Sequence, residues 1–328
     1  MFYLGVDVAK AKLDCVLLNP ESQKRKSKTV ENSSEGLGLL LKVLQGWGIE
    51  LGEIHVVMEP TSTYHERAAL ALADAGCTVS LINPAHLRRY AQSVGARSKT
   101  DAADSALLAR YGAAEKPKAW EPPSSSARAL KALLVRRDAV AEDLQRERNR
   151  TEKLSTTEVP DSVRQSLSEV IAFLEKQLVT LQREIERHID DDPDLRGKRE
   201  LLLSIPGVGD RVSQHMTALL ASHRFATAEQ LAAYLGLVPV EWLSGSSIKG
   251  RPRMSKAGPA HLRKLLYMPA VVAVRHNPHI RALYERLIKH GKHKMAAIGA
   301  AMRKLAHLCF GVVHSGKPYS PSFTSKTT

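Results

Sequence analysis

The chain has 328 residues, of which 43% are hydrophobic and 25% are charged, a composition that excludes an intrinsically disordered protein. Its length allows two domains and a helical connector. Cys15, Cys77 and Cys309 show no paired spacing, so we expect neither disulfides nor a zinc site, and a reducing cytoplasm fits. The longest apolar stretch, from Leu265 to Val274, is too short for a membrane span, and we see no secretion signal.

The net charge of +14 is concentrated at one end of the chain. From Gly245 onward there are 16 basic residues and a single acid, Glu285, whereas the first 244 residues carry 32 basic and 33 acidic side chains. A segment this basic is typical of a protein that binds a polyanion, most simply nucleic acid. The other interpretation is a generally solubilising surface.

Apolar periodicity in the first 115 residues predicts a mixed sheet with helices on its faces. Three sequential strands are followed by alternating helices and strands, an order that matches the ribonuclease H-like arrangement by analogy. The predicted strands are Phe2–Val8, Leu13–Leu18, Lys26–Val30, Ile54–Met58 and Val79–Ile82; the predicted helices are one capped by Ser34, one from Tyr64 to Ala75, and two that begin near Pro84 and Asp101.

Four carboxylates occur where a metal-dependent phosphoryl-transfer enzyme would need them. Asp7 lies in the first apolar strand, and Glu59 ends the fourth. Asp101 and Asp104 are three residues apart at a helix start, so both point to one face. Taken singly, each acid has an ordinary structural explanation. Acids that converge from strand ends and a helix start normally hold divalent cations, because bound positive charge offsets their repulsion.

A proline- and serine-rich stretch, residues 122–126, predicts a domain boundary. A long helix with scattered leucines follows it, and a second helix carries a heptad-like apolar seam. The seam either packs only on the first helix or also dimerises the protein. We therefore predict three domains, residues 1–123, 124–195 and 196–328. The seam consists of Ile171, Leu174, Leu178, Leu181, Ile185 and Ile189.

Residues 204–209, Ser-Ile-Pro-Gly-Val-Gly, lie between two helical segments and resemble a helix-hairpin-helix turn. Gly207 and Gly209 permit a tight bend and expose backbone N–H groups at a helix start, which suits a DNA phosphate. A glycine-rich turn with no ligand is the alternative.

A hydroxyl-rich segment, Ser244 to Ser247, leads directly into the most basic part of the chain. We expect a small flexible loop that either offers a nucleophile to a phosphodiester or binds phosphates through hydroxyl and guanidinium groups. Chemistry alone favours binding, because no neighbouring His or Lys is an obvious base for a serine. The candidate nucleic-acid-binding residues that follow are Lys249, Arg251, Arg253 and Lys256.

Several blocks together resemble the DEDD-type insertion-sequence transposases, a family related to the Piv-type DNA invertases. The resemblance covers nearly the whole chain, and the blocks in this order are highly specific. The matching blocks are Gly5–Lys10, Met58–Thr61, Lys99–Asp104, Ile205–Gly209, Ser244–Ser247, Arg253–Gly258 and Met302–Ala306.

The resemblance implies a RuvC-like N-terminal domain whose Asp7, Glu59, Asp101 and Asp104 bind Mg²⁺, followed by a helical coiled-coil connector and a mainly helical transposase domain. It implies that Ser244 attacks the DNA backbone to form a covalent phosphoserine. It also implies donor and target DNA as partners, with a bridge RNA as guide in some members. Finally, it implies a homo-oligomer, a dimer that becomes a tetramer in the synaptic complex, in which acids and serine come from different protomers.

Three other functions compete with this one. The first is a metal-dependent, junction resolvase-like nuclease that activates water and forms no covalent intermediate. The second is a sugar or acetate kinase, but Val8-Ala9-Lys10 lacks the Gly and Ser or Thr that its phosphate loop would need after Asp7. The third is a DNA-binding regulator, which has no use for four converging acids.

Overall fold

The computed structural model describes residues 1–60, 64–95, 101–154, 158–240, 243–244, 248–249 and 253–322. It divides into two compact units, Met1–Pro122 and Pro123–Thr328, so the division falls between the two prolines of the predicted boundary. A further separation of 124–195 from 196–328 stays a prediction.

The N-terminal unit is built on a five-stranded sheet in the order β3-β2-β1-β4-β5. The first three strands are antiparallel neighbours, whereas β4 is parallel to both β1 and β5. This order and these directions are those of the ribonuclease H-like fold, so the predicted fold class is confirmed. The strands are β1 (Phe2–Val8), β2 (Lys12–Leu18), β3 (Arg25–Glu31), β4 (Ile54–Met58) and β5 (Thr78–Leu81).

Helices cover both faces of this sheet because alternate residues of β1 and β4 are apolar on both sides. Leu4 and Val6 belong to a core shared with the first two helices, whereas Val57 belongs to a second core with Leu108. The prediction that Ser34 caps the first helix is wrong, because the cap is Ser33, whose Oγ accepts a hydrogen bond of 3.0 Å from the Gly36 amide. The helices are α1 (Ser34–Gly46), α2 (Tyr64–Asp74), α3 (Pro84–Ser93) and α4 (Asp101–Glu115).

The C-terminal unit is mainly helical, as predicted, and begins with two long antiparallel helices. A large apolar core, which includes Leu202, Met216, Leu266 and Leu305, joins the shorter helices that follow. The helices are α5 (Ser125–Leu154), α6 (Asp161–Asp191), α7 (Pro193–Leu203), α8 (Asp210–Ser222), α9 (Ala228–Tyr234), α10 (Ala260–His276), α11 (Pro278–Lys289) and α12 (Lys294–Ser315).

The apolar seam of α6 packs on α5 most tightly at one end of the helix pair. Ile185 and Ile189 are fully buried in a cluster with Leu130 and Leu134, and Leu195 and Ala218 of α7 and α8 join the same cluster. The seam residues nearer the start of α6, such as Leu174, are only half-buried. The helix pair therefore packs on the rest of the C-terminal unit at the end formed by the start of α5 and the end of α6.

Helix α12 is long and apolar enough to span a membrane by length and composition, and within the described ranges it is the one helix that is. Its apolar side, which includes Ala301, Leu305 and Val312, is buried in the C-terminal core. The helix is thus accounted for as the core helix of a folded domain.

Candidate active site and nucleic-acid interface

Asp7 and Glu59 lie at the same end of two neighbouring parallel strands. Strands β1 and β4 pair with Val6 opposite Met58, so the next position on each strand is one of the two acids. Neighbouring strands are about 4.8 Å apart. Because side chains alternate along a strand, Asp7 lies on the same face as Gly5, and Glu59 on the same face as Val57. Both acids are half-buried.

Helix α4 covers that face and runs antiparallel to β1. A Cβ atom at Gly5 would lie 1.9 Å from the Ser105 carbonyl oxygen, and one at Gly112 would lie 2.6 Å from Val57 Cγ2 and 2.9 Å from Tyr3 Cδ1. Since residue numbers rise along α4 as they fall along β1, the start of α4 lies toward Asp7. This close approach is a role of Gly5 that sequence reasoning missed, although a glycine inside a strand is a known signal for one.

Asp104 of α4 lies on the side of the helix that faces the sheet, because it precedes the buried Leu108 by four residues. Asp104 is half-buried. The side chain of Asp101 lies outside the part of the chain that the structure describes. The fold therefore brings Asp7, Glu59 and the start of α4 to one end of the sheet.

Asp7, Glu59 and Asp104 supply carboxylate oxygens at this end of the sheet, and these are donors that a hard divalent cation prefers. A bound cation would also offset the repulsion between two half-buried acids on adjacent strands. In the described ranges, however, no group of three or more His, Cys, Asp or Glu side chains is close enough to hold a metal ion. A metal site that includes Asp101 stays a prediction.

Ser244 lies in a β-ribbon, so the prediction of a flexible loop is wrong at the described positions. The inner part of the ribbon pairs β6 (Pro239–Val240) with β9 (Arg253–Met254), and the outer part pairs β7 (Leu243–Ser244) with β8 (Ile248–Lys249). Ser244 is opposite Ile248 in this pairing. Leu243, Ile248 and Met254 stand next to polar residues but do not alternate with them over a full strand, so the sequence gives no clear strand signal here.

Two of the predicted phosphate-binding side chains, Arg253 and Lys256, lie at the base of this ribbon. Arg253 and Lys256 are exposed, as a phosphate contact requires. Lys249 belongs to β8, but its side chain, like the whole of Arg251, lies outside the described residues. Their role in binding stays a prediction.

The glycine turn between α7 and α8 has a packing function at one of its two glycines. Gly207 has φ +101°, and a Cβ there would lie 2.7 Å from the Ala273 Cβ of α10. Gly209 has open space around its Cα and is the N-cap of α8. Asp210, at the start of α8, forms an ion pair of 2.9 Å with Arg199, which brings negative charge to the same helix end. A phosphate contact at Gly207 and Gly209 remains a prediction.

A buried polar network joins α5 to α8, and sequence reasoning missed it. Arg137 donates a hydrogen bond of 2.6 Å to Gln214 Oε1 and forms an ion pair of 2.9 Å with Asp138, whose other oxygen lies 3.0 Å from His215 Nε2. Burial of Asp138 opposes its ionisation, but His215 and Arg137 outweigh that effect and hold the carboxyl pKa well below its usual range. The signal was Arg137 itself, a charged residue at an apolar position of the α5 pattern.

Protein-family models match both the N-terminal region with the acids and the C-terminal region with the serine. A model described as a transposase of the DEDD IS110 type matches residues 4–160, and the transposase IS116/IS110/IS902 family model matches residues 199–285. The chain is 32% identical over 319 residues to the pilin gene-inverting protein of Moraxella bovis, with 97% of each chain covered. It is 23% identical over 397 residues to the uncharacterized 42 kDa protein of insertion element IS900 from Mycobacterium paratuberculosis, with 98% of each chain covered.

Among solved structures, RuvC of Thermus thermophilus, determined with a Holliday junction substrate, covers 36% of this chain and 98% of its own at 16% identity and a TM-score of 0.27. The ribonuclease H-like unit and the helical unit, each matched by a transposase model, define the class as a DNA transposase or recombinase. The chain belongs to the DEDD insertion-sequence transposases of the IS110 family. It is therefore an enzyme of DNA recombination.

Proposed function

We propose that this transposase cleaves and exchanges DNA strands through a covalent phosphoserine on Ser244, in a reaction that depends on Mg²⁺ at Asp7, Glu59, Asp101 and Asp104. The observation that carries the proposal is the convergence of Asp7, Glu59 and the start of α4 at one end of the sheet. The serine role rests on family resemblance, and it is consistent with the place of Ser244 on a β-ribbon at the start of the basic part of the sequence.

The proposed chemistry conserves the energy of the phosphodiester bond. The Ser244 Oγ attacks phosphorus, a new Oγ–P bond forms, and the bond from phosphorus to one sugar oxygen breaks. The serine proton leaves, and the departing sugar oxygen takes up a proton to become a hydroxyl. A sugar hydroxyl of another strand then attacks the phosphoserine and releases Ser244. Water in place of serine would leave a broken strand, which a recombinase has to avoid.

The acids act in this scheme as ligands that bring positive charge to the transferring phosphoryl group. Bound Mg²⁺ would stabilise the negative charge that develops on the phosphoryl oxygens. Half-burial of Asp7 and Glu59 supports this role, because partial removal of water strengthens such electrostatic interactions.

The basic C-terminal segment is proposed to bind donor and target DNA, and a bridge RNA as guide. Its 16 basic residues against one acid support a polyanionic partner of either kind. Candidate contacts are Arg253 and Lys256 on the ribbon, with Lys249, Arg251, Gly207 and Gly209. The cytoplasm is the proposed location.

The protein is proposed to act as a homo-oligomer, a dimer that forms a tetramer in the synaptic complex. Val170 and Phe173 on α6 are 41% and 59% exposed beside the apolar seam, which supports a second contact surface on that helix. Glutamate at both positions should yield monomers in light scattering without disturbing the α5–α6 contact. An unchanged assembly state would exclude this surface.

The proposal is tested by comparing three serine variants on labelled DNA that carries one end of the element with its flank, together with RNA transcribed from that flank. Ser244→Ala should bind the DNA almost normally but form no protein–DNA adduct on denaturing gels. Ser246→Ala and Ser247→Ala are the matched controls. Each should lose at most about 1 to 3 kcal/mol of binding free energy, which is the contribution of a single phosphate contact. Continued cleavage by Ser244→Ala without any adduct would instead indicate the junction resolvase-like nuclease.

A further inference from the structure

The serine ribbon leaves the C-terminal core through a narrow neck, which we define as residues 234–238 and 254–258. The two segments of the neck are in backbone contact. A Cβ at Gly236 would lie 2.1 Å from the Ala257 carbonyl oxygen, and one at Gly258 would lie 2.0 Å from that of Tyr234. Both glycines have positive φ, +69° and +83°. No side chain can be added at either position without separating the segments.

Arg263 of α10 ties the two segments of the neck together. Its Nη1 atom donates to the carbonyl oxygens of Leu235 at 3.2 Å, Ala257 at 3.0 Å and Gly258 at 3.1 Å. The first of these lies on the segment that enters the ribbon, and the other two lie on the segment that returns from it. Hydrogen bonds from a charged guanidinium to carbonyls are stronger than those from a neutral donor. The arginine is therefore a clamp on the neck.

Beyond the neck the structure describes the ribbon at Leu243–Ser244 and Ile248–Lys249, which pair as two short strands. A two-stranded hairpin is by itself marginally stable in water, so the direction of the ribbon depends on its base. Met254, at the base of the ribbon, packs on the C-terminal core: a Cβ added at Gly299 would lie 2.8 Å from the Met254 Cε. The ribbon is therefore anchored at its base. Ser244 is five residues beyond Pro239, at most about 17 Å along the chain. A small rotation at the neck would move the serine by several ångströms.

We propose that Arg263 is a positioning residue for Ser244: it fixes the direction in which the ribbon presents the attacking hydroxyl. This inference rests on the proposed function of Ser244. Attack requires Oγ to approach phosphorus within about 3 to 3.5 Å, and a misplacement of 1 Å lowers a rate by about 100-fold. Loss of the clamp should consequently slow adduct formation by about that factor while binding surfaces stay intact.

The test measures the single-turnover rate of adduct formation at saturating DNA, the affinity for the same DNA and the melting temperature. Arg263→Ala is compared with Arg275→Ala, which removes the same charge from an exposed position of the same helix. We expect a rate about 100-fold below that of Arg275→Ala at equal affinity. Arg263→Lys should recover part of the rate, because an ammonium group can still donate to some of the three carbonyls.

Equal adduct rates in Arg263→Ala and Arg275→Ala would overturn the inference. So would an affinity that falls in parallel with the rate, since Arg263 would then be a phosphate contact. If Arg263→Ala does not fold, Arg263→Lys decides: a reduced rate at unchanged affinity and melting temperature supports the clamp, and an unchanged rate refutes it. Absence of any adduct in the unmodified protein would instead refute the proposed function of Ser244.

Discussion

Asp7 lies within β1 and Glu59 directly follows β4, two strands that are buried along most of their length, whereas Ser244 lies on a ribbon that the neck joins to the C-terminal core. The sheet determines the positions of Asp7 and Glu59, because the pairing of β1 with β4 fixes both backbones. The serine depends on a few contacts at the neck. We therefore expect the proposed acid site to be as stable as the N-terminal unit, and we expect changes at the neck to displace Ser244 without unfolding the protein.

The largest effect should come from the acids themselves. Glu59→Gln or Asp101→Asn should lower DNA cleavage by about 1,000-fold or more, because each removes a carboxylate from the proposed metal site, and a catalytic metal contributes several kcal/mol. Melting temperatures should stay near that of the unmodified protein, since no core packing is lost. Full activity of Asp7→Asn in the presence of a chelator would show that these acids hold no catalytic metal.

The contact between α4 and β1 should be sensitive to added volume at Gly5. Gly5→Ala would drive a methyl group into the Ser105 carbonyl and should destabilise the N-terminal unit by about 3 kcal/mol. Gly38→Ala in α1, the matched control, has open space and should be neutral or slightly stabilising. Thermal unfolding of both variants checks this. Equal melting temperatures would mean that α4 does not press on β1 at Gly5.

The two units of the chain should differ in their affinity for nucleic acid. The fragment 123–328 contains the basic segment and keeps Leu195 and Ala218 with their partners in α5 and α6, so it should bind DNA with a steep salt dependence. Each neutralised phosphate contributes a slope of about −0.9 in log affinity against log salt. Fluorescence anisotropy at several salt concentrations measures the slope. If the fragment 1–122 binds as tightly, the assignment of the basic segment is wrong.

A smaller effect should appear in the pH dependence of the stability of the N-terminal sheet. His55 in β4 is buried, its Nε2 lies 2.8 Å from Ser80 Oγ, and burial lowers its pKa. The unfolded chain then binds more protons than the folded one, so the free energy of unfolding falls as pH decreases through about 6.5. Hydrogen exchange of β4 amides, corrected for intrinsic rates, should show this loss in the unmodified protein and less of it in His55→Asn. An equal pH dependence in both proteins would contradict the role of His55.

The parts of the molecule that could be predicted from sequence are those set by local periodicity. Buried strands such as β1 and β4 are nearly continuous apolar runs, and their order indicates the sheet topology and the end at which Asp7 and Glu59 meet. The cap at Ser33 was missed by one residue, because two adjacent serines carry the same capping signal.

The rest depends on contacts between residues far apart in sequence. Arg263 donates to Leu235 across 28 positions, and Arg137 to Gln214 across 77, and no local pattern encodes either pair. The ribbon was expected to be a loop because its strands are too short to show a clear alternation. Gly5 illustrates the intermediate case, since its presence in a strand signals a close approach but not the identity of the partner helix.

The most direct test of the account is to locate the bond between protein and DNA. The adduct formed with Mg²⁺ on labelled element-end DNA would be digested with nuclease and protease, and the modified peptide sequenced by mass spectrometry. We expect a nucleotide phosphate on Ser244, present in the unmodified protein and in Ser246→Ala, and absent from Ser244→Ala and Glu59→Gln. A phosphate on Ser246 or Ser247, or strand exchange with no linked peptide at all, would contradict it.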